Sequence, residues 1–256
     1  MTNTRRPDPA FLGTAALVFA ASTAVTISWC SSMSAMPGME MPGGWTMSMT
    51  WMRMPGQSWT GAAATFLGMW AVMMVAMMLP VLTPVLARYR ATMGGCKGTN
   101  ARTALLAAGY FTVWILFGAT IYPLGVGLAT LTMRLPELSR GIPFATGAVL
   151  LIAGAMQFTR VKARQLACCR RLPHGGGGPH TPRESWNAGL RLGIHCVNCC
   201  LGSTAVLFVL GVMDLRAMAL VAAAICAERL SRKGELVARL IGAGFIAAGV
   251  FLIQQG

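Results

Sequence analysis

Residues 59–87 read WTGAAATFLGMWAVMMVAMMLPVLTPVLA, an apolar run without a single charged side chain. A helix needs roughly 20 residues at 1.5 Å rise to cross a hydrocarbon core of about 30 Å, and this run exceeds that length. Comparable runs recur near 10–30, 103–128, 142–159, 193–213, 215–228 and 236–253, of which 215–228 is short. The pattern predicts an all-α fold, a polytopic transmembrane helix bundle of about seven spans making one integral membrane domain over 1–256. With 256 residues, 55% hydrophobic and 11% charged, the chain has too few polar side chains to coat a soluble globule, and the lipid bilayer is its expected solvent.

The formal charge of +14 raises nucleic acid as a partner, but the basic residues lie between apolar runs and form no stripe. With the connections assigned alternately to two sides, one side keeps only Arg53, Arg134, Arg140 and Arg216. The other holds the remaining 17 of the 21 Lys and Arg residues, from Arg5 and Arg6 to Arg239. That bias makes the basic side cytoplasmic and places the amino terminus there, with no nucleic-acid partner. The first run follows Arg5-Arg6 and exceeds the 7–15-residue core of a secretory signal, so it reads as an uncleaved anchor.

Two hydrophilic segments interrupt the runs. Residues 31–58 form a Met-rich segment on the outer, periplasmic side, mixed with Trp45, Trp51, Pro37, Pro42, Gly43 and Gly44, a density of Gly and Pro that argues against regular helix. Residues 160–191 form a basic cytoplasmic segment with Cys168, Cys169, His174, His180 and the Gly175–Gly178 run, and they read as a mobile loop.

Only seven carboxylates exist, Asp8, Glu40, Glu137, Glu184, Asp214, Glu228 and Glu235, and no two are spaced for general acid–base work. Neither a nucleophile elbow nor a phosphate-binding loop nor a dinucleotide fingerprint is present, so the chain is not expected to be an enzyme.

Sulfur dominates the remaining chemistry. Met33, Met36, Met39, Met41, Met47, Met49, Met52 and Met54 crowd the outer segment. Thioethers are soft, neutral donors that suit Cu(I) better than harder ions, whereas at a membrane interface they also serve as flexible apolar filling. Within the second run, Met69, Met73 and Met77 recur every fourth residue with Met74 and Met78 beside them, a thioether ladder on one side of a helix or, equally, core packing. The fifth run carries His195-Cys196-Val197-Asn198-Cys199-Cys200, in which positions 196, 199 and 200 share a helix face. Cys168, Cys169, Cys96, Cys226 and His195 lie on the same predicted side, which points to a soft-metal thiolate site near the cytoplasmic face. The alternatives are buried cysteines acting as small hydrophobes, or disulfides.

The stretches Met41-Pro-Gly-Gly-Trp-Thr-Met47, Met69-Trp-Ala-Val-Met-Met-Val-Ala-Met-Met-Leu-Pro80, Gln157-Phe-Thr-Arg-Val-Lys162 and Cys196-Val-Asn-Cys-Cys200 resemble a bacterial family of predicted metal-binding integral membrane proteins. The resemblance implies a multi-pass protein of the bacterial inner membrane with a metal role. In layout alone, the outer Met cluster, Met73-x-x-x-Met77 and inner Cys/His are similar to eukaryotic copper importers. The expected function is Cu(I) binding, with copper acquired from the periplasm and passed from Met to Cys ligands, and a copper chaperone or cuproenzyme as partner. Two alternatives stand beside it: a mercuric-ion transporter, suggested by the vicinal cysteines, and a structural or assembly subunit of a membrane oxidase in which the sulfurs only pack.

Overall fold

The computed structural model describes residues 8–34, 38–53, 56–93, 96–170 and 181–255. Among these, nine α-helices follow in order: α1 (Pro9–Ser34), α2 (Trp59–Thr92), α3 (Thr99–Arg134), α4 (Pro136–Arg140), α5 (Ile142–Met156), α6 (Arg160–Arg170), α7 (Pro182–Leu210), α8 (Leu215–Leu230) and α9 (Gly234–Gln255). Between α1 and α2 lie β1 (Met39–Met41), β2 (Trp45–Met47) and one 3-10 turn. The all-helical expectation holds.

Candidate spans among the described residues number five or six, short of the expected seven or so. Five helices, α1, α2, α3, α7 and α9, are long and apolar enough to cross a membrane, and a sixth span is reached if α5 and α6, bent by 70°, count as one. The short run at 215–228 becomes α8, whose 16 residues extend about 24 Å. Its charged end, Glu228-Arg229, stops against the middle of α7 and not at the far end of the bundle.

Two expectations for the inner segment also change. Residues 160–170 form α6, and 182–191 are the first turns of α7, so helix replaces much of the expected loop. The start of α7 is dictated locally: Thr181 accepts from Glu184 N at 3.2 Å while the Glu184 carboxylate accepts from Thr181 N at 2.8 Å, a capping box with Pro182 in the first turn. The helix therefore begins well before 193, and Cys196–Cys200 fall at its middle, not at its opening.

Glycine sets the helix spacing. On the α3–α7 seam, a Cβ at Gly189 would strike the Leu106 carbonyl oxygen, and one at Gly193 would lie 2.9 Å from the Tyr110 carbonyl oxygen. On the α5–α9 seam, Gly154 and Gly242 face each other, as do Gly147 and Gly249. Gly242 and Gly249 thus pack within the protein, against α5, whereas nothing lies within 4 Å of a Cβ at Gly244. Such stripes let backbones approach where lipid offers no hydrophobic drive between helices.

The two ends of the bundle are marked by contacts. At one end the Asp8 carboxylate pairs with Arg90 at 2.9 Å, tying the start of α1 to the end of α2. At the other end, Trp51 packs on Phe66 of α2 and Phe208 of α7 in the space that Gly125 of α3 leaves open. Residues 39–47 form an antiparallel hairpin, Met39 opposite Met47 and Met41 opposite Trp45, with Gly43 (φ 107°) and Gly44 (φ 74°) in the turn. Trp45 Nε1 donates to Ser139 O at 3.0 Å and Ser139 Oγ donates to Pro42 O at 2.8 Å, which clamps the hairpin on α4.

Candidate metal centre

The side chains of α7 that face the core include Cys196, Cys199 and Cys200, all buried. Their i, i+3, i+4 spacing puts them on one side, as the sequence requires. Cys196 Sγ and Cys200 Sγ lie 3.9 Å apart. Across the seam, α6 contributes Cys169, also buried, whose thiol interacts with that of Cys199. Four thiols from two helices therefore meet in the core.

Cationic and hydroxyl donors surround them. Arg229 Nη1 donates to Cys196 Sγ at 2.6 Å, and Tyr110 Oη lies 2.9 Å from the same sulfur. Arg229 Nη2 reaches Cys169 O at 3.4 Å, so one guanidinium bridges α6, α7 and α8. Lys162 Nζ donates to Cys199 O at 2.7 Å and pairs with Glu228 Oε2 at 2.7 Å, while Gln157 Nε2 donates to Glu228 Oε1 at 3.0 Å. Buried charges at membrane depth are expensive unless paired and mark function more often than packing. A guanidinium on sulfur is a charge-assisted donor that favours the thiolate over the thiol.

Cys168 is exposed, one position round the helix from buried Cys169. His195 is half-buried and its Nδ1 contacts Gln165 Oε1 of α6 at 2.9 Å. Cys96 is exposed and Cys226 half-buried. Met69, Met73, Met74, Met77 and Met78 are all buried in the main core cluster, which also contains Cys169, Cys196, Cys199 and Cys200. In the outer segment, Met41 and Met47 are buried around Ala129 with Trp45, Trp51 and Met52, whereas Met39 is exposed and Met33 half-buried. Met36, Met54, Arg171, His174 and His180 lie outside the described residues, as do the side chains of Met49 and Arg170.

Among the described residues, no group of three or more His, Cys, Asp or Glu is arranged as a ready-made metal site. The thiol pair nevertheless fits an ion held by two sulfurs. Metal–sulfur bonds of about 2.3 Å allow two sulfurs on one ion to stand up to about 4.6 Å apart, and 3.9 Å falls inside that limit. Thiolates select soft ions such as Cu(I).

No ligand motif in the sequence places Tyr110, Lys162, Glu228 or Arg229 at the thiols. The available signal was a pair of charges, Glu228-Arg229, closing an otherwise apolar segment, together with Lys162 a few residues from Cys168-Cys169.

Fold and site together define a helical protein with helices fit to cross a membrane and a buried, cation-flanked thiol cluster at its centre. Residues 67–252 match the model of the family described as PpoB2, copper chaperone, and the chain belongs to that family. No curated protein and no solved structure matches it. The matched segment contains α3–α8 and most of α2 and α9, hence every residue of the thiol centre. It leaves α1 and the hairpin outside.

Proposed function

We propose that this protein is a copper chaperone embedded in the bacterial inner membrane, which takes Cu(I) from the periplasm and holds it as a thiolate complex for delivery to a cuproenzyme. The observation that carries the reading is the Cys196–Cys200 sulfur pair at 3.9 Å with Arg229 on one sulfur, in a chain of the copper chaperone family. The ion is cargo, and the chain binds and passes it without transforming a substrate. Arg229 and Tyr110 steady the thiolate form of Cys196, and Cys169 and Cys199 offer further sulfurs for exchange from one ligand to the next. The buried thioethers of α2 supply neutral donors in the same core, and exposed Met39 and half-buried Met33 supply outer ones.

Replacing Cys196 and Cys200 together with Ser keeps size while removing soft donors. The double variant is expected to retain one Cu(I) fewer per chain after purification in detergent, with an unfolding temperature within a few degrees of wild type. Metal analysis and thermal unfolding side by side check this. Equal copper in both, with only a lowered unfolding temperature, would reduce the cysteines to packing residues.

The basic bias assigns the Asp8–Arg90 end to the cytoplasm and the hairpin to the periplasm. Topology reporters fused at Gly176 and Gly44 are expected to report cytoplasmic and periplasmic positions, respectively. Periplasmic activity at Gly176 would invert the orientation.

A further inference from the structure

The face that helix α1 buries carries hydroxyl and thiol groups. Its buried residues recur every fourth position as Ser22, Thr26 and Cys30, while Leu17, Val18, Val25 and Ile27 are exposed. Ser22 and Thr26 return their hydroxyls to carbonyls of α1 itself, Phe19 O at 3.0 Å and Ser22 O at 2.8 Å. Beside them Thr23 Oγ1 is buried with no hydrogen-bond partner among the described residues.

At the hairpin end of this stripe, Cys30 Sγ lies 3.8 Å from Met218 Sδ of α8. Both side chains are buried, at 1% and 5% exposure, and both belong to the core cluster that holds the five methionines of α2 and the inner thiols. The separation matches that of the Cys196–Cys200 pair and lies within the limit of about 4.6 Å for two sulfurs on one ion. Cys30 precedes the matched family segment, so family membership does not assign it a role.

We propose that Cys30 and Met218 form a second soft-metal site, which takes a monovalent Cu(I) or Ag(I) ion between a thiolate and a thioether at the hairpin end of the bundle. The proposal rests on the soft-metal reading of the chain but not on the Cys196–Cys200 pair. On binding, the Cys30 S–H bond is replaced by a sulfur–metal bond and the proton leaves to water, with no change in oxidation state. A single thiolate with a neutral thioether holds a soft ion less tightly than paired thiolates, so the affinity rises from this site toward the α7 centre.

The full-length protein in detergent, titrated with Ag(I), separates the two sites. Wild type is expected to bind one ion more than Cys30→Ser and one more than Met218→Leu, and to lose a different ion in the Cys196→Ser/Cys200→Ser variant. Met218→Leu conserves apolar volume, so a loss there reads the thioether even if the Cys30 variant folds poorly. Wild-type stoichiometry in Met218→Leu and in folded Cys30→Ser would overturn this site while leaving the α7 centre to be judged by its own variant. Loss in the Cys30 and Met218 variants with none in the α7 variant would uphold this site and overturn the α7 reading.

Discussion

Replacing Lys162 with Met is expected to destabilise the protein by about 3–5 kcal/mol, the range found when one partner of a buried ion pair is removed. Lys162 Nζ and Glu228 Oε2 stand 2.7 Å apart with side chains 8% and 1% exposed, so water screens little of the charge left behind. Glu228 would keep the Gln157 amide at 3.0 Å but lose this counter-charge, and Cys199 O would lose its ammonium donor. The companion variant, Lys162→Met with Glu228→Met, removes both charges and is expected to recover most of the loss, because a hydrophobic pair of similar volume is often neutral in place of an ion pair. Unfolding of the three proteins in detergent measures the coupling. A double variant as unstable as the single one would show that Lys162 acts through packing of its stem. If the pair serves the thiol centre, the double variant should also bind Cu(I) more weakly despite its recovered stability.

The second large effect is expected at Gly189. A Cβ there would strike the Leu106 carbonyl oxygen and lie 3.0 Å from Tyr110 N, both backbone atoms of α3 that no rotamer change can move. Gly189→Leu therefore forces α3 and α7 apart, at a cost of about 3 kcal/mol or more, the upper range for overpacking. It also moves α7 relative to Tyr110, whose hydroxyl stands 2.9 Å from Cys196 Sγ, so bound copper should fall along with the unfolding temperature. Gly244→Leu is the control: nothing lies within 4 Å of its added Cβ, and the variant should be as stable as wild type or more so, since Leu is the better helix former. Equal behaviour of the two variants in thermal unfolding would mean that the α3–α7 approach is not tight.

Much of this arrangement was legible in the chain. The apolar runs located the five long helices to within six residues at every end but one, because a helix in lipid must satisfy its own backbone and declares itself by length. The start of α7 is the exception, missed by eleven residues although Thr181-x-x-Glu184 carries the capping-box signature. Hydropathy is blind to a helix that continues past its apolar segment into a polar one. The same blindness made a loop of α6, in which Arg160, Lys162, Arg164, Gln165 and Arg170 interrupt the apolar residues.

The spacing of Cys196, Cys199 and Cys200 by itself determined that three thiols share a helix face, since 3.6 residues per turn leaves no other arrangement, and the lack of charge in residues 59–87 determined that α2 is a membrane-length helix. Which other groups meet those thiols was decided only by tertiary structure. Cys168 and Cys169 are equivalent in sequence, yet the rotation of α6 buries one and exposes the other. His195 adjoins Cys196, yet the step of about 100° between neighbours on a helix turns it to Gln165. Arg229 and Tyr110 come from helices 33 and 86 residues away along the chain, and Met218 reaches Cys30 across 188. Contacts of that range depend on how closely helices approach, which the glycine seams set, and no local spacing encodes it.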